Sequence, residues 1–245
     1  MEASPARVST AVRSSAVPVL DKAHRALDEV PVLRARSLVK RWGRKAPPVL
    51  AGAELTLRPG EFVAIVGRNG VGKTTLLRIL CGLIDAEEGS VRVGGLSPRR
   101  DRRRFHQSVS FLPATNTGLY ARLTVRQNLD LWSRLALLPR VRRGDAVDAA
   151  LQDFALAELA PRRADRLSMG QRQRVRLALA TLHGPRVLLL DEPVNSLDGD
   201  GVGMLLSVLE RHRRAGGCAV WCAPEVDGRA LGLDRSLTLR EGRLV

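Results

Sequence analysis

Aromatic side chains make up only 3% of this 245-residue sequence, so its core must be built mainly from Leu, Val and Ala. Long apolar runs are missing as well, since none approaches the ~18 residues that a membrane-spanning helix requires. If the protein works at a membrane, we therefore expect another chain to supply the membrane part. The three cysteines are few, odd in number and without metal-ligand spacing, which is typical of a reducing compartment.

Lysine is almost absent: of the 40 basic residues only four are lysines, which leaves 36 arginines. The formal net charge of +15, taken alone, favours nucleic acid as a partner. However, the arginines are spread along the whole chain, as genome-wide codon usage would produce. The one dense run, between Arg99 and Arg104, has no interleaved aromatic residues that could stack on bases. We therefore interpret this run as a solvated face and do not expect nucleic acid as a partner.

Residues 1–30 are rich in Ala, Ser, Arg and Pro without any sustained period, and we predict that they form a disordered extension. From residue 31 onward, strand and helix patterns alternate. Strands are predicted at 32–42, 54–57, 61–66, 90–93, 108–112, 187–190 and 218–222, and two more flank a turn at Glu241 and Gly242. A helix is predicted from 73 to about 83.

Residues 124 to about 166 have the three- and four-residue apolar spacing of helices, which Pro139 and Gly144 should divide into at least two. The whole pattern predicts one α/β domain over residues 31–245. Its expected parts are a core, an antiparallel β-subdomain near the N-terminus, and an inserted α-helical subdomain at about 114–170.

Residues 67–74 match the phosphate-loop pattern G-x-x-x-x-G-K-[ST], with a predicted strand before it and a predicted helix after it. Glycines let the backbone wrap closely around an anion, and the first amides of the helix then point at the phosphates. We expect Lys73 to reach the β- and γ-phosphates of ATP and Thr74 to ligate Mg²⁺. The predicted nucleotide-binding residues of this loop are Gly67, Arg68, Asn69, Gly70, Val71, Gly72, Lys73, Thr74 and Thr75.

A pair of acidic residues, Asp191 and Glu192, follows four apolar residues that suit a central parallel strand. The carboxyl end of such a strand is where α/β sheets bind their ligands. We expect Asp191 to join Thr74 in the magnesium shell. Glu192 is the predicted general base that accepts a proton from the attacking water, with Lys73 as the second catalytic residue.

Residues 167–171, Leu-Ser-Met-Gly-Gln, stand directly before another helix pattern. They resemble the signature motif of the ATP-binding cassette (ABC) family, with the family's spacing to Asp191. Read from the residues alone, Ser168 caps a helix whose amides around Gly170 present a second anion site. The resemblance covers roughly residues 32–245. It implies an ABC-type P-loop NTPase with ATP and Mg²⁺ as cofactors.

The same resemblance implies a head-to-tail dimer with two ATP molecules between two such chains. Ser168, Gly170 and Gln171 would then bind the nucleotide of the facing subunit, and Asp198 would communicate between the two sites. Trp42 falls where family members stack an aromatic ring on adenine, although it could also be a core residue of its strand. Residues 119–129 are similar to a stretch in ABC ATPases that serve drug, polysaccharide and haem-type exporters, which favours export.

Two positions depart from the family pattern. Ala114 stands where most members have a Gln that contacts Mg²⁺ and water, and Pro224 stands where they have a switch histidine. Neither side chain can ligate a metal or donate a hydrogen bond. The ATPase is then slow, or a neighbouring group substitutes, or a different ATPase subunit supplies a competent second site. Because Glu192 is retained, we predict reduced but nonzero hydrolysis.

The function predicted from these features is the ATP-binding and ATP-hydrolysing subunit of an ABC transporter. It would form a homo- or heterodimer and lie in the cytoplasm, at the plasma membrane, through a separately encoded integral-membrane permease. One alternative is a soluble ABC protein that acts on ribosomes, nucleic acid or an assembly scaffold, which the net charge favours. Another is a regulatory cassette that only binds ATP, which Ala114 and Pro224 favour.

Overall fold

The computed structural model of the protein describes residues 31–43, 45–115, 117–225, 227–228 and 231–245. The extension predicted for residues 1–30 therefore lies outside the described residues. The strands are β1 Leu33–Lys40, β2 Leu50–Leu57, β3 Phe62–Val66, β4 Glu88–Val93, β5 Val109–Leu112, β6 Val187–Asp191, β7 Cys218–Ala223, β8 Arg235–Arg240 and β9 Arg243–Leu244. The α-helices are α1 Lys73–Leu80, α2 Arg102–Ser108, α3 Val125–Leu135, α4 Arg140–Asp153, α5 Met169–Thr181 and α6 Gly199–Arg214, with a 3₁₀ turn at Ala164–Arg166.

These strands form two sheets, which agrees with the predicted α/β class. Three antiparallel strands in the order β2-β1-β4 make the smaller sheet. The larger sheet has the order β5-β6-β7-β3-β8-β9, and only its last pair is antiparallel. Because parallel strands need crossover connections, α1, α5 and α6 lie between strands of this sheet in the sequence.

The central strands are buried on both faces, which explains why they read as continuous apolar runs. Alternate residues of each strand enter two different cores. In β6, Leu189 packs into a core shared with α1 and the antiparallel sheet. Leu188 and Leu190 pack into a second core with helices α3 to α6. The large sheet thus separates two apolar layers.

Strand pairing brings three loops to one edge of the large sheet. Val66 at the end of β3 lies opposite Ala223 of β7, and Asp191 at the end of β6 lies opposite Cys222. The segments that follow these strands begin with Gly67, Glu192 and Pro224. Ligands of open parallel sheets bind at such carboxyl ends, so the fold itself places the phosphate loop beside the acidic pair.

The inserted region has helices where the periodicity predicts them, but Gly144 does not divide them. Pro139 is the N-cap of α4, and the helix then continues through Gly144 to Asp153. A single glycine inside a helix costs only ~1 kcal/mol. Burial of Val147 and Leu151 on the same helix outweighs that cost.

Two further differences concern helix bounds. The first helix ends at Leu80 and not near residue 83, because the chain turns at Gly82 with a φ of 71°. Helix α2 was not predicted, since its Arg-rich sequence has no apolar period. Its one buried side chain is that of Phe105, and Arg102 and Arg103 are exposed, as expected for a solvated face.

None of the helices among the described residues is long and apolar enough to cross a membrane.

Candidate nucleotide-binding site

The glycine loop has a backbone that only glycines can follow. Gly67, Gly70 and Gly72 have φ angles of 152°, 80° and 116°. A Cβ at Gly67 would lie 2.9 Å from the carbonyl oxygen of Leu239, and one at Gly72 would lie 2.6 Å from Cγ1 of Val49. The loop is therefore packed against neighbouring strands and holds its curved shape. Helix α1 begins directly after it, so the first helical amides, which lack intrahelical acceptors, line the loop.

Lys73 is buried beneath this loop, with only 6% of its surface exposed. Its ammonium group donates hydrogen bonds to the carbonyl oxygens of Gly67, at 2.5 Å, and Arg68, at 3.2 Å. A buried ammonium must be compensated by acceptors, and here loop carbonyls compensate it without neutralising its charge. The arrangement leaves a positive charge at the glycine loop, which suits a polyphosphate.

The hydroxyl of Thr74 donates a hydrogen bond of 2.7 Å to Oδ2 of Asp191. Asp191 is 2% exposed, and burial raises the pKa of its carboxyl. The negative charge of Glu192 raises this pKa further. The hydrogen bond from Thr74, the charge of Lys73 and a hydrogen bond from the backbone of Ala114 lower it. The pair presents two hard oxygen atoms beside the glycine loop, and Mg²⁺ prefers such donors together with phosphate oxygens. The donor set therefore fits the predicted metal.

Glu192 lies in a strained turn directly after β6. Its φ is 50°, and that of Ser196 is 69°, both in the left-handed region that side chains disfavour. The turn is held by the Glu192 amide, which donates to the carbonyl of Cys222 at 2.8 Å, and by Asn195, whose amide group donates to Oε2 of Glu192 at 2.6 Å. Strain of this kind concentrates at functional sites, and here it aims a carboxylate beside Asp191.

The signature residues begin helix α5 as the motif predicts. Ser168 is the N-cap and accepts a hydrogen bond from the amide of Gln171 at 3.2 Å, while the side chain of Gln171 accepts from the amide of Ser168 at 3.0 Å. These two reciprocal bonds form a capping box, in which both the amide and the side chain of Gln171 are engaged. A Cβ at Gly170 would lie 3.0 Å from the carbonyl of Ser196, so the helix start packs against the turn after Glu192. Met169 between them is 59% exposed.

The remaining predicted residues occupy separate places. Asp198 is the N-cap of α6, and its carboxylate accepts the amide of Gly201 at 2.8 Å. Trp42 follows β1 and is 58% exposed, so it is not a core residue of that strand. The ammonium of Lys40 lies 5.4 Å from its ring centroid. An exposed indole of this kind is free to stack on a base, and that role stays a prediction.

The two departing positions lie at the same sheet edge as the acidic pair. Ala114 follows β5 and is exposed. Pro224 follows β7, and its carbonyl accepts a hydrogen bond of 3.3 Å from the amide of Gly67. Both residues therefore contribute backbone groups to the site, while their side chains add no donor.

Comparison with known proteins identifies the family of this chain. The family described as ABC transporter matches residues 50–195, which is more than half of the sequence. The chain belongs to the ABC transporter family. Relatives that match include ATP-binding proteins of import and export systems, so we identify the chain as an ATP-binding subunit of this family, and the roles of its individual site residues stay predictions.

Individual relatives of this ABC protein differ in their transport direction. The aliphatic sulfonates import ATP-binding protein SsuB of Cupriavidus necator is 40% identical over 214 residues, which are 86% of this chain and 67% of that protein. The cytochrome c biogenesis ATP-binding export protein CcmA of Bordetella bronchiseptica is 37% identical over 210 residues, which are 86% of this chain and 90% of that protein. The export predicted from residues 119–129 thus stays a prediction.

A solved structure confirms the ABC fold. The dimeric ATP-binding cassette MJ0796, in a post-hydrolysis state bound to ADP and Pi, has a TM-score of 0.76 with this chain. The match covers 86% of this chain and 96% of that one at 23% sequence identity. The α/β core, the antiparallel sheet and the helical insertion are therefore those of an ABC ATPase.

The sequence did not single out two residues of helix α5, Gln173 and Arg176, that contact the loops of the candidate site. Both are buried, at 3% exposure each, and both hydrogen bond to loops of the site. The signal that could have found Arg176 is its position within an otherwise apolar run at 175–180. A charged residue there is either exposed or has a buried partner.

Proposed function

We propose that this chain hydrolyses ATP slowly, with Mg²⁺, as one of two ATPase subunits that power a separately encoded permease. The observation that carries the proposal is the contact of 2.7 Å between Thr74 and Asp191 beside the glycine loop. It directly joins the side chains of the two predicted magnesium ligands. Glu192 directly follows Asp191 in the sequence and would act as the general base.

The chain's own groups have separate tasks in this proposal. The amides around Gly70 and Gly72 and the ammonium of Lys73 bind the phosphates. Mg²⁺, when bound, neutralises charge on the β- and γ-phosphate oxygens. Thr74 and Asp191 would hold it. Glu192 would take the proton of the attacking water.

Ala114 and Pro224 are the residues that favour slow turnover. In this proposal, binding depends on the loop amides and Lys73, whereas hydrolysis also depends on donors that position water and stabilise charge. Losing one such donor typically costs about 10²–10³ in rate. Because Glu192 remains, chemistry is slowed and not abolished.

The exposed start of helix α5 supports dimerisation. Ser168 is exposed and Met169 is 59% exposed, so the start of this helix is accessible to a second chain. The related cassette MJ0796 is dimeric. A second subunit, identical or different, would cover this apolar tip and place its γ-phosphate at the helix start.

An apolar groove of about 610 Å³ between β5, α3 and α5 supports association with a permease. Leu112, Trp132 and Leu179 are among the residues that line it. An apolar groove of this size on a cytoplasmic ATPase suits a segment of a membrane partner. We propose that the permease exports its substrate, on the similarity of residues 119–129.

The experiment is steady-state ATP hydrolysis by the purified chain, with and without detergent-solubilised membranes of its host. We expect low turnover alone, loss of that turnover in Glu192→Gln, and no loss in the control Glu158→Gln, which changes an exposed acid of the helical region. We also expect an integral-membrane protein to co-purify with the chain. Rapid turnover by the chain alone, abolished by Glu192→Gln, would contradict the slow cycle.

A second candidate function is a regulatory cassette that binds ATP without hydrolysing it, which Ala114 and Pro224 favour. In that case ATP and a non-hydrolysable analogue would cause equal dimer closure and equal partner binding. The ATPase proposal expects closure by ATP to decay over time and closure by the analogue to persist. Time-resolved light scattering distinguishes the two.

A further inference from the structure

Arg176 is a buried cation without a carboxylate partner. It lies in the middle of helix α5 and is 3% exposed. Among the described residues, no acidic side chain forms an ion pair with it within 4.0 Å. An arginine stays protonated inside a protein, so its buried charge must be compensated by dipoles.

Four oxygen atoms supply that compensation, and three of them are main-chain carbonyls of one segment. The guanidinium donates to the carbonyl of Pro113, to that of Thr115 at 2.5 Å, and to that of Thr117 at 3.2 Å. The fourth acceptor is Oε1 of Gln173, one helical turn earlier, at 2.5 Å. Arg176 therefore holds the segment that follows β5 against helix α5.

The held segment includes Ala114, which lies between two of the bonded carbonyls. Its side chain offers no hydrogen bond, and the segment around it is exposed on its outer side. Fixing the carbonyl of Pro113 fixes the peptide plane that precedes Ala114, and the bond to the Thr115 carbonyl restrains the chain one residue after it. The position of this backbone near Asp191 is thus set by a side chain from another element.

Gln173 links Arg176 to the turn that contains Glu192. Its amide group donates to the carbonyl of Pro193 at 2.7 Å, and Pro193 directly follows Glu192. Because Gln173 binds Arg176 with one end and the turn with the other, helix α5 fixes both loops at once. The same helix begins with the signature residues Ser168 and Gly170.

Arginine suits this task because of its planar fork. Five donors in a fixed plane can bind three carbonyls that approach from different directions, whereas the ammonium of lysine is a single point. A purely structural filler at this depth would be apolar, since burying a charge is costly unless every donor is satisfied. The retention of a charge with four acceptors indicates a requirement for position.

We propose that Arg176 is a positioning residue for ATP hydrolysis, which holds the Ala114 backbone and, through Gln173, the Glu192 turn in one fixed arrangement. The inference rests on the proposed ATPase function. A polar residue at position 114 could place its own side chain in the site, but Ala114 cannot. In this chain the bonds from Arg176 fix the position of the backbone at Ala114 instead. The clamp acts on the chemical step and not on ATP binding.

The test uses the full chain and three variants. Arg176→Lys keeps the charge but cannot bridge three carbonyls. Gln173→Glu keeps the acceptor for Arg176 but removes the donor to Pro193. Arg174→Lys, on the same helix and partly exposed, is the matched control. Each variant is assayed for kcat and KM, and for amide hydrogen exchange in peptides that cover 113–118 and 192–195.

We expect Arg176→Lys to lower kcat by about 10- to 100-fold, because misplaced catalytic geometry has that effect. KM for ATP should stay within about threefold, since interactions made only in the transition state are lost. Exchange should rise in both peptides. Gln173→Glu should lower kcat and raise exchange in 192–195 alone, and Arg174→Lys should match the wild type.

Unchanged kcat and unchanged exchange in Arg176→Lys would overturn the proposal, and so would a rise in KM with kcat preserved. If Arg176→Lys loses thermal stability, Gln173→Glu still tests the clamp through its one-sided effect. Absence of hydrolysis by the wild type would refute the proposed function instead. The exchange measurement needs no turnover, so in that case it would separately support or overturn the hold of Arg176 on the 113–118 segment.

Discussion

The hydroxyl of Thr74 and the carboxylate of Asp191 are joined by a hydrogen bond of 2.7 Å although they lie 117 positions apart in the sequence. One residue belongs to the helix after the glycine loop and the other ends the most buried strand of the large sheet. The bond needs the whole parallel sheet between β3 and β6 to be in register. It is therefore a sensitive point at which to test the metal site.

Replacing Thr74 with Val should remove the hydroxyl with little change in shape. We expect the apparent Mg²⁺ affinity of the ATP complex to fall by about 10- to 100-fold, as for other residues that orient metal ligands. Asp191 would also lose its donor, at a cost of about 1–3 kcal/mol in the free energy of unfolding. Calorimetric titration with ATP at several Mg²⁺ concentrations measures the first effect.

Thr74→Ser is the matched control, since it keeps the hydroxyl and loses only a methyl group. Its Mg²⁺ dependence should stay near that of the wild type. Equal Mg²⁺ dependence in Thr74→Val and the wild type would show that the hydroxyl is not a ligand.

Restoring a side-chain donor at Pro224 should speed hydrolysis. The carbonyl of Pro224 accepts the amide of Gly67 through the backbone, so a substitution keeps that contact. We expect Pro224→His to raise kcat about 10-fold or more, because one positioned donor is worth ~10²–10³ in comparable sites. Steady-state ATPase assays of the purified chain measure the change.

Pro224→Ala separates the donor from the backbone effect. It relaxes the chain but adds no hydrogen bond, so its kcat should equal that of the wild type. An increase as large as that in Pro224→His would mean that the rigid ring, and not the missing donor, limits turnover.

The site could be predicted to the extent that its residues are contiguous in sequence. The glycine loop and the pair Asp191 and Glu192 are local patterns, and the requirement that they end neighbouring parallel strands follows from the fold class. The contact between Thr74 and Asp191 is then a consequence of that class. Gln173 and Arg176 could not be predicted, because burial of a polar side chain depends on which loops pack over it.

The secondary structure also contains elements that local sequence patterns predict and elements that depend on tertiary packing. Helix α4 passes through Gly144 because Val147 and Leu151 are buried by neighbouring helices, and that packing is absent from the local sequence. Helix α2 has one buried side chain, Phe105, among exposed arginines, so a periodicity criterion finds nothing there. In both cases tertiary contacts outweigh local preference.

Removing the cap of the signature helix should weaken both the fold and the dimer. Ser168→Ala deletes the acceptor of the Gln171 amide and should lower the free energy of unfolding by about 1 kcal/mol. ATP-dependent dimerisation, followed by analytical ultracentrifugation, should weaken more than stability. Ser168→Thr keeps the hydroxyl and should restore both properties. Unimpaired dimerisation in Ser168→Ala would count against a role of the helix start at the dimer contact.

His212 should make the fold sensitive to mild acid. Burial lowers the pKa of its imidazole, and the hydrogen bond between Nε2 and the carbonyl of Cys218, at 3.1 Å, opposes this only in part. The ring also fits closely over Gly217, where an added Cβ would lie 2.3 Å from it, and faces the ring of Phe62 at 6.2 Å. The folded state therefore favours the neutral ring.

The sign of the pH effect follows from that preference. With the folded pKa below the unfolded value of about 6.5, the unfolded chain binds the extra proton first. The stabilisation is complete above pH ~6.5 and is lost as the pH falls from there towards the folded pKa. Denaturant unfolding should thus show a free energy of unfolding that declines as the pH falls from 7.5 to 5.5.

In His212→Gln that decline should be shallower, and the free energy of unfolding at pH 7.5 should be lower. Phe62→Leu disturbs the same packing without removing a titrating group, so it should shift the curve downward by about 1 kcal/mol and keep its slope. Equal slopes in the wild type and His212→Gln would mean that this imidazole does not control the acid response.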